Sequence, residues 1–167
     1  MRRRVSAKQP SSKMCLVCGT ENVFGLRADF FELDGDELLA VFEPREEHQS
    51  YPGRLHGGVA AAILDETIGR AIMMRHDGDV WGVAVELTTR YKKPVPLDRP
   101  LRVLGRITRD TSRIFEGTGE ILLEDGSVAV EGRGKYLRFP IDQIAEFDLD
   151  RDWRVVSSTS DPEEIEL

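Results

Sequence analysis

Residues 56–75, HGGVAAAILDETIGRAIMMR, form the one long helical pattern in the sequence. This pattern predicts a helix over 57–75, which the Asp-Gly-Asp stretch at 77–79 ends. Two glycines inside a helix would weaken it by about 1 kcal/mol each relative to alanine. In a first turn they leave backbone N–H groups open to an anion or a developing oxyanion. They are equally compatible with a loop that merely crosses the sheet tightly.

Strand patterns lie on both sides of this helix. Two strands are predicted before it, at 24–33 and 37–43, with the hairpin turn signal Asp34-Gly35-Asp36 between them. Four more are predicted after it, at 80–92, 101–109, 113–124 and 127–138. Tight turns between consecutive strands favour an antiparallel sheet. One helix that covers one face of such a sheet makes an α+β fold.

The strand predicted at 80–92 has the clearest alternation. Every second residue from Trp81 to Tyr91 is apolar or threonine, and most residues between them are polar or charged. Period-two alternation predicts that this strand is buried on one side. Pro94 and Pro96 then end it.

Composition limits the class of protein. A chain of 167 residues suits one domain, and 40% hydrophobic with 32% charged residues is typical of a soluble globular protein. The net charge of −7 argues against a nucleic-acid partner. We expect no membrane association, because no apolar run approaches the roughly 20 residues that cross a bilayer. The basic start lacks the apolar stretch of a secretory signal, so we expect a cytoplasmic protein.

Charge is distributed unevenly along the chain. Residues 1–13 carry five basic residues and no acid, whereas 146–167 are strongly acidic. We interpret 1–13 as a flexible basic tail, 14–140 as the folded domain and 141–167 as an acidic, partly disordered extension. A short helical turn within 141–150, and a basic arm that contacts RNA or an anionic ligand, are the alternatives to disorder.

Two adjacent acids on the predicted helix, Asp65 and Glu66, have different neighbours. Glu66 precedes Arg70 by four residues, a favourable surface ion pair worth about 0.2–0.5 kcal/mol. The residues three and four positions from Asp65 are small or apolar: Ala61, Ala62, Ile68 and Gly69. A carboxylate on such a stripe tends to have a raised pKa and is more often explained by function than by packing. A serine or a backbone N–H from elsewhere in the fold could also satisfy it.

His56 lies nine residues before Asp65, which is about 13 Å along a helix. The two side chains of one chain could therefore not share a proton. If both act on one substrate, one of them comes from a second subunit. This spacing predicts a homodimer with sites at its interface, although His56 could also be a plain helix-entry residue.

Three stretches carry a family resemblance. Residues 51–69, YPGRLHGGVAAAILDETIG, resemble the core of the PaaI-like hotdog thioesterases, and 89–97, TRYKKPVPL, resemble their central strand and its exit. Residues 15–26, CLVCGTENVFGL, resemble a lead-in of bacterial members. The resemblance covers about residues 15–139. It implies a long central helix wrapped by a five- to six-stranded antiparallel sheet, and a dimer whose sheets join edge to edge, often paired again into a tetramer.

The resemblance also implies hydrolysis of an acyl-CoA thioester without a cofactor. It assigns the catalytic acid to Asp65 and the oxyanion-type backbone donor to Gly57, beside His56, which contacts the thioester end. Relatives often have Asn in the loop where this chain has Ser50, and many have Ser or Thr, to orient water, where it has Ala84. The remaining substrate-binding residues are expected at Gly58, Glu66, Arg90 and Lys92. The last two are cations suited to the phosphates of CoA.

Other interpretations remain beside this one. Cys15-x-x-Cys18 could be half of a zinc site or a redox pair, but a structural zinc needs four ligands, so we expect two reduced thiols and no metal. A hotdog hydratase or dehydratase would need a His and an acid that converge on the substrate. A non-catalytic acyl-CoA-binding protein would not need Asp65.

Overall fold

A computed structural model describes residues 2–76, 80–146 and 148–167. The predicted helix stop at 77–79 lies outside these residues. The strands are β1 (Arg2–Lys8), β2 (Asp29–Leu33), β3 (Glu37–Phe42), β4 (Trp81–Tyr91), β5 (Leu101–Asp110), β6 (Ile114–Leu122), β7 (Val128–Phe139) and β8 (Glu164–Glu166). The α-helices are α1 (Gly57–Arg70), α2 (Ile141–Ile144) and α3 (Leu149–Asp152), and 3-10 turns form at Glu46–His48 and Ala71–Arg75.

The strands form one antiparallel sheet in the order β4-β7-β6-β5-β3-β2-β1-β8. The predicted α+β architecture is confirmed, with α1 on one face of the sheet. The α1 helix and the 3-10 turn that follows it cover the predicted range of 57–75. The strand number was wrong, since the described residues form eight strands rather than five or six.

The two additional strands come from segments that we interpreted as a flexible tail and a partly disordered extension. β1 pairs with both β2 and β8, and two basic residues of the first segment meet acids of the last. Lys8 Nζ lies 2.8 Å from Asp161 Oδ1, and Arg2 lies 3.8 Å from Glu164. The opposite charges of the two terminal segments are therefore complementary in the fold.

Apolar residues also hold β1 and β8 in place. The sheet face that points away from α1 buries a small cluster, and Val5 and Ile165 pack against it. The main core lies on the other face, where α1 contributes Ile63, Leu64 and Ile68. The sequence has few apolar residues near the two ends of the chain. Its pattern therefore does not reveal that both faces of the sheet are buried.

A row of three glycines crosses the sheet beneath α1. Gly105 of β5, Gly119 of β6 and Gly132 of β7 lie directly opposite one another. A Cβ atom at Gly105 would lie 2.8 Å from the backbone oxygen of Thr67 in α1. The row thus removes side chains from the places where the helix comes closest to the sheet.

The alternation along β4 is interrupted by a bulge at Val85. Ala84 pairs with Tyr136 and Glu86 with Lys135, so Val85 is an extra residue. A bulge of this kind shifts the phase of the side chains by one position. Our prediction that one apolar face of β4 is buried from Trp81 to Tyr91 was therefore wrong: Val85 is 51% exposed.

Among the described residues, no helix has both the length and the apolar character that crossing a bilayer requires.

The close approach of α1 to the sheet predicts a difference between two glycine substitutions. Gly105→Ala is expected to lower the free energy of unfolding by roughly 1–3 kcal/mol, because the new methyl group meets rigid helix backbone. Gly132→Ala is the matched control, since its Cβ would lie 3.3 Å from the end of the flexible Ile68 side chain. Urea unfolding measures both. Equal losses for the two variants would contradict this account of the helix-sheet contact.

Candidate active site

Asp65 opens into a cavity of about 210 Å³ between α1 and the start of β4. Gly69 of the helix, Gly82 and Ala84 of β4, and Tyr136 of β7 also line it. The cavity exists because three of these positions carry a hydrogen atom or a methyl group in place of a larger side chain. The structure thus brings the predicted residues Asp65 and Ala84 together.

The Asp65 carboxylate is held by Tyr136. The Tyr136 hydroxyl lies 3.0 Å from Asp65 Oδ1 and 2.9 Å from the Asp65 backbone oxygen, and it donates to these acceptors. The Tyr136 ring stacks on Phe115 with their centroids 4.9 Å apart, which fixes the position of the hydroxyl. Sequence analysis missed Tyr136, because a tyrosine on a strand 71 residues away is indistinguishable from a core residue.

The surroundings of Asp65 shift its ionisation. Burial raises the pKa of the Asp65 carboxyl above its ordinary value, and the negative charge of Glu66 adds to this. The hydrogen bond from Tyr136 lowers the pKa again in part, since it stabilises the charged form. A partly desolvated carboxylate held by one donor is suited to accept a proton or to attack an electrophile.

The first turn of α1 lies at the other end of the helix. His56 is the N-cap residue, and its Nδ1 accepts a hydrogen bond of 2.9 Å from the Gly58 N–H. The Gly58 donor is therefore occupied. Among the residues that the structure describes, none accepts from the Gly57 N–H. Of the two glycines, Gly57 is the one with a donor available for a ligand.

The end of β4 fixes this first turn. The Tyr91 hydroxyl donates to the Gly57 backbone oxygen at 2.7 Å. A cleft of about 420 Å³ opens here, and it is lined by Gly57, Tyr91, Ser50 and Lys92 among others. Tyr91 is a second residue that we did not predict from the sequence.

The predicted cations differ in their placement. Lys92 lines the cleft at Gly57, and its ammonium group is paired with Glu131. Arg90 is directly opposite Glu131 and so shares a face of the sheet with it, whereas its neighbour Tyr91 points to the helix side. The structure therefore brings Ser50 and Lys92 to Gly57 but does not bring Arg90 there.

Asp65 and Gly57 of one chain lie in separate cavities. The two cavities have no lining residue in common, and eight residues of helix, about 12 Å, separate the two positions. The described chain thus contains a carboxylate half-site at Asp65 and a backbone-donor half-site at Gly57, which do not meet.

Glu66 lines the Asp65 cavity as well, and its carboxylate belongs to a network around Arg70. Its carboxylate accepts from Arg70 Nε at 2.8 Å, which is the predicted pairing four residues apart. The prediction of a surface ion pair was wrong, since only 5% of the Arg70 side chain is exposed. The guanidinium lies over the rings of Phe30 and Trp153, which covers it from solvent.

Arg70 also connects this network to the cysteine motif. Its Nη2 lies 3.1 Å from Cys18 Sγ, and the Sγ atoms of Cys15 and Cys18 lie within 4.8 Å of each other and of a Glu66 oxygen. A hydrogen bond from the Cys15 thiol, together with the charge of Arg70, lowers the pKa of the Cys18 thiol to about 6 against the effect of burial. Arg70 itself thus supplies a positive charge beside these three ligand-type groups.

Comparison with known proteins agrees with this geometry. The model of the thioesterase superfamily matches residues 52–130, which include α1 and β4. An uncharacterized protein of Schizosaccharomyces pombe is 26% identical over 98 residues, which are 59% of this chain and 55% of that protein. The chain thus spans little more than half the length of this curated relative.

Solved structures share the fold. The thioesterase superfamily protein RHA08564 is 30% identical with a TM-score of 0.67, over 75% of this chain and 60% of that one. PaaI of E. coli, from the phenylacetic acid degradation operon, is 17% identical with a TM-score of 0.61, over 68% of this chain and 80% of that one. A Streptococcus mutans protein bound to acetyl CoA is 15% identical with a TM-score of 0.60, over 68% and 89%.

The fold class is therefore the hotdog fold, in which one long helix lies against an antiparallel sheet. Residues 52–130 match the thioesterase-superfamily model, and the resemblance to hotdog thioesterases that the sequence predicted is confirmed.

The contact between Tyr136 and Asp65 predicts a shift in ionisation. Tyr136→Phe keeps the stacked ring but removes the hydrogen bond that lowers the Asp65 pKa, so this pKa is expected to rise further. Carboxyl NMR of a protein labelled at aspartate measures the change directly, with Asp65→Asn to assign the signal. The Asp65 carboxyl of the Tyr136→Phe variant is expected to titrate with its midpoint at a higher pH than in the wild type. A midpoint that is unchanged or lower would contradict the assigned role of Tyr136.

Proposed function

We propose that this protein hydrolyses acyl-CoA thioesters to the free acid and CoA. The observation that carries the proposal is the half-buried carboxylate of Asp65, which Tyr136 holds in a cavity on a thioesterase-superfamily domain. A related fold that binds acetyl CoA supports CoA as the leaving group. The chemistry requires water, a proton acceptor or nucleophile, and a donor for the developing oxyanion.

The thioester carbonyl accepts from the Gly57 N–H at the positive end of α1. This end of the helix favours the negative charge that develops on the oxygen. Ionised Asp65 either removes a proton from the attacking water or attacks the carbonyl itself to give an anhydride that water then opens. In both routes the CoA sulfur leaves and takes up a proton, and one water molecule is consumed.

Tyr136 supplies a hydroxyl beside Ala84 in this mechanism, and it positions Asp65 rather than water. Ala84 has no polar group, but it lies directly opposite Tyr136 on the adjacent strand, on the same face of the sheet. The Tyr136 hydroxyl therefore enters the cavity beside Ala84 and orients Asp65 from there. A chain with Ala84 thus retains a hydroxyl that positions the carboxylate.

The half-sites combine in a dimer through β4. Within the described part of the chain, one edge of β4 pairs with β7 and the other has no partner strand. Val83 and Val85 on this strand are 39% and 51% exposed. Such an edge readily pairs with another strand, and two copies of β4 can extend the sheet across a two-fold axis.

Antiparallel pairing of β4 with a second β4 exchanges the two ends of the strand. The end with Ala84 lies at the Asp65 cavity, and the end with Tyr91 is bonded to Gly57. Across the two-fold axis, the Ala84 end of one copy faces the Tyr91 end of the other. Each Asp65 would then meet the Gly57 of the partner.

The hydratase interpretation has less support from this geometry. It needs a histidine that exchanges a proton with the substrate, whereas His56 Nδ1 caps α1 and leaves only Nε2 for that role. The family model that matches residues 52–130 is that of thioesterases.

Substitutions at Asp65 and Gly57 test the mechanism. Asp65→Asn is expected to lower kcat for acyl-CoA hydrolysis by about 10²- to 10⁴-fold. Gly57→Pro removes only the N–H at the first helical position, which proline tolerates, and is expected to cost about 10²- to 10³-fold. Gly57→Ala keeps the N–H, so its kcat is expected to stay near the wild-type value. The same is expected of Asp98→Asn, which lies in an exposed loop. Thiol release from a panel of acyl-CoAs measures each variant.

A mixture of two inactive variants tests the composite site. When Asp65→Asn and Gly57→Pro subunits are mixed and reassembled in equal amounts, half of the dimers are mixed and each contains one intact site. About a quarter of the wild-type activity is then expected to return. No hydrolysis by the wild type would refute the proposed activity, whereas active protein without recovery on mixing would refute only the shared site.

The edge of β4 predicts the oligomeric state. Val85→Lys places two like charges at the proposed two-fold axis, so this variant is expected to be a folded monomer with little activity, while the wild type is at least a dimer. Val156→Lys is the matched control, because Val156 is 50% exposed in the last segment of the chain. Light scattering after size exclusion gives the mass, and a dimeric Val85→Lys protein would contradict pairing through β4.

A further inference from the structure

A second cavity, of about 710 Å³, adjoins the Asp65 cavity. Its walls come from the turn after α1, the start of β4, the end of β1 and the segment that follows β7. Met73, Trp81 and Trp153 line both cavities, so these side chains stand between the two. A group bound at Asp65 thus lies one side chain away from the second cavity.

Trp153 forms the wall between the two cavities. Its ring lies 5.2 Å from that of Trp81 and 4.4 Å from the Arg70 guanidinium, measured between centres. Arg70 is itself fixed by Glu66 and by the Pro10 backbone oxygen. The indole is thus held on both sides, and its position determines how far the cavity extends.

The lining is mostly apolar, and its polar groups are already paired. The apolar members are Pro10, Met73, Met74, Trp81, Pro140, Ile141, Leu149 and Trp153. Lys8 lies 2.8 Å from Asp161 and 3.0 Å from Asp29, and Gln9 donates to Glu32 at 2.9 Å. A carboxylate in this cavity would find no unpaired cation among the described lining residues and would meet acids at its rim. The cavity is suited to an uncharged apolar group.

Much of this cavity lies outside the matched domain. The thioesterase-superfamily model matches 52–130, whereas Lys8–Pro10, Pro140 to Asp142, Leu149 and Trp153 lie beyond it. Except for Pro140, these residues belong to the two segments that we interpreted as a tail and an extension. The family model therefore does not describe these walls of the cavity.

We propose that this cavity holds the acyl group of the thioester and that Trp153 determines the acyl groups accepted. The inference rests on the proposed hydrolysis and names its substrate class: an uncharged aryl or medium-chain acyl group, larger than acetyl and without a terminal carboxylate. A cavity of this volume encloses a small organic molecule of that size. The carbonyl stays at Asp65 while the chain passes Trp81 and Trp153.

Kinetics with acetyl-, octanoyl-, phenylacetyl- and glutaryl-CoA test the assignment. The wild type is expected to show a kcat/KM for octanoyl- or phenylacetyl-CoA at least about tenfold above those for acetyl- and glutaryl-CoA. Trp153→Ala opens the cavity and is expected to shift the preference to longer chains. Because Trp153 also packs on Arg70, Met74→Trp serves as a second variant that fills the cavity. It is expected to lower the ratio of the octanoyl to the acetyl kcat/KM about tenfold relative to the wild type.

Met14→Trp is the matched control, since Met14 is 65% exposed and does not line the cavity. An acetyl or glutaryl preference in the wild type would overturn the proposal. So would an octanoyl value in Met74→Trp that equals that of the control.

A binding measurement separates this proposal from the proposed activity. The chain has two tryptophans, Trp81 and Trp153, and both line the cavity. Because both tryptophans also line the Asp65 cavity, a non-hydrolysable octanoyl-CoA thioether is expected to change the intrinsic fluorescence more than the acetyl analogue does at equal occupancy. If no acyl-CoA is hydrolysed but the octanoyl analogue gives this change, the activity fails and the cavity assignment stands. If both analogues bind with the same spectrum, the cavity assignment fails.

Discussion

The contact between α1 and the glycine row of the sheet is the constraint on which the rest of the molecule depends. Without side chains at Gly105, Gly119 and Gly132, the helix backbone lies against the central strands, and the sheet curves around it. That contact sets the depth at which Asp65 lies below the sheet edge. It also places Tyr136 where its hydroxyl reaches both the backbone and the side chain of Asp65. The geometry of the carboxylate therefore follows from a packing requirement.

The same helix serves three separate tasks along its length. Its first turn presents the Gly57 N–H, its middle carries Asp65, and its last turn carries Arg70 into the buried network. Arg70 joins the cysteine motif before β2 to Trp153 after β7. The segments outside the matched domain are thus tied to the helix that carries the candidate site, which is why they can shape the space beside it.

Local patterns predicted most of the fold. The apolar spacing of 57–75 and the Asp-Gly turn signals are local, and the helix and six strands formed close to where those patterns placed them. The bulge at Val85 could not be predicted, because strict alternation over β4 gives no sign of an extra residue. The pairing of β1 with β8 joins residues more than 150 positions apart, and only the opposite charges of the two segments hint at it. The sequence does contain one indication that a helix lies close to the sheet. Two pairs of glycines spaced two residues apart leave one face of a strand without side chains: Gly117 with Gly119, and Gly132 with Gly134.

Part of the candidate site could also be predicted, because the signal for that part is local in the sequence. Asp65 was identified by the lack of a helical partner, which is a local property, and the structure places it in a cavity. Tyr136 and Tyr91 act across the fold, and no spacing in the chain connects them to α1. The Gly58 N–H is instead occupied by the side chain of the N-cap residue His56. The alternation of side chains along β4 places Arg90 on the other face of the sheet.

The two edges of the sheet differ in a way that limits assembly. One edge is β4, eleven residues long with exposed valines, and the other is β8, three residues long with two glutamates. A short acidic edge repels its own copy, whereas a long apolar edge attracts one. A sheet that can grow from both edges forms an open-ended fibre, but a sheet that can grow from one edge stops after a single addition. If two copies pair through β4 as proposed, the acidic β8 edge limits association through the sheet to that single addition.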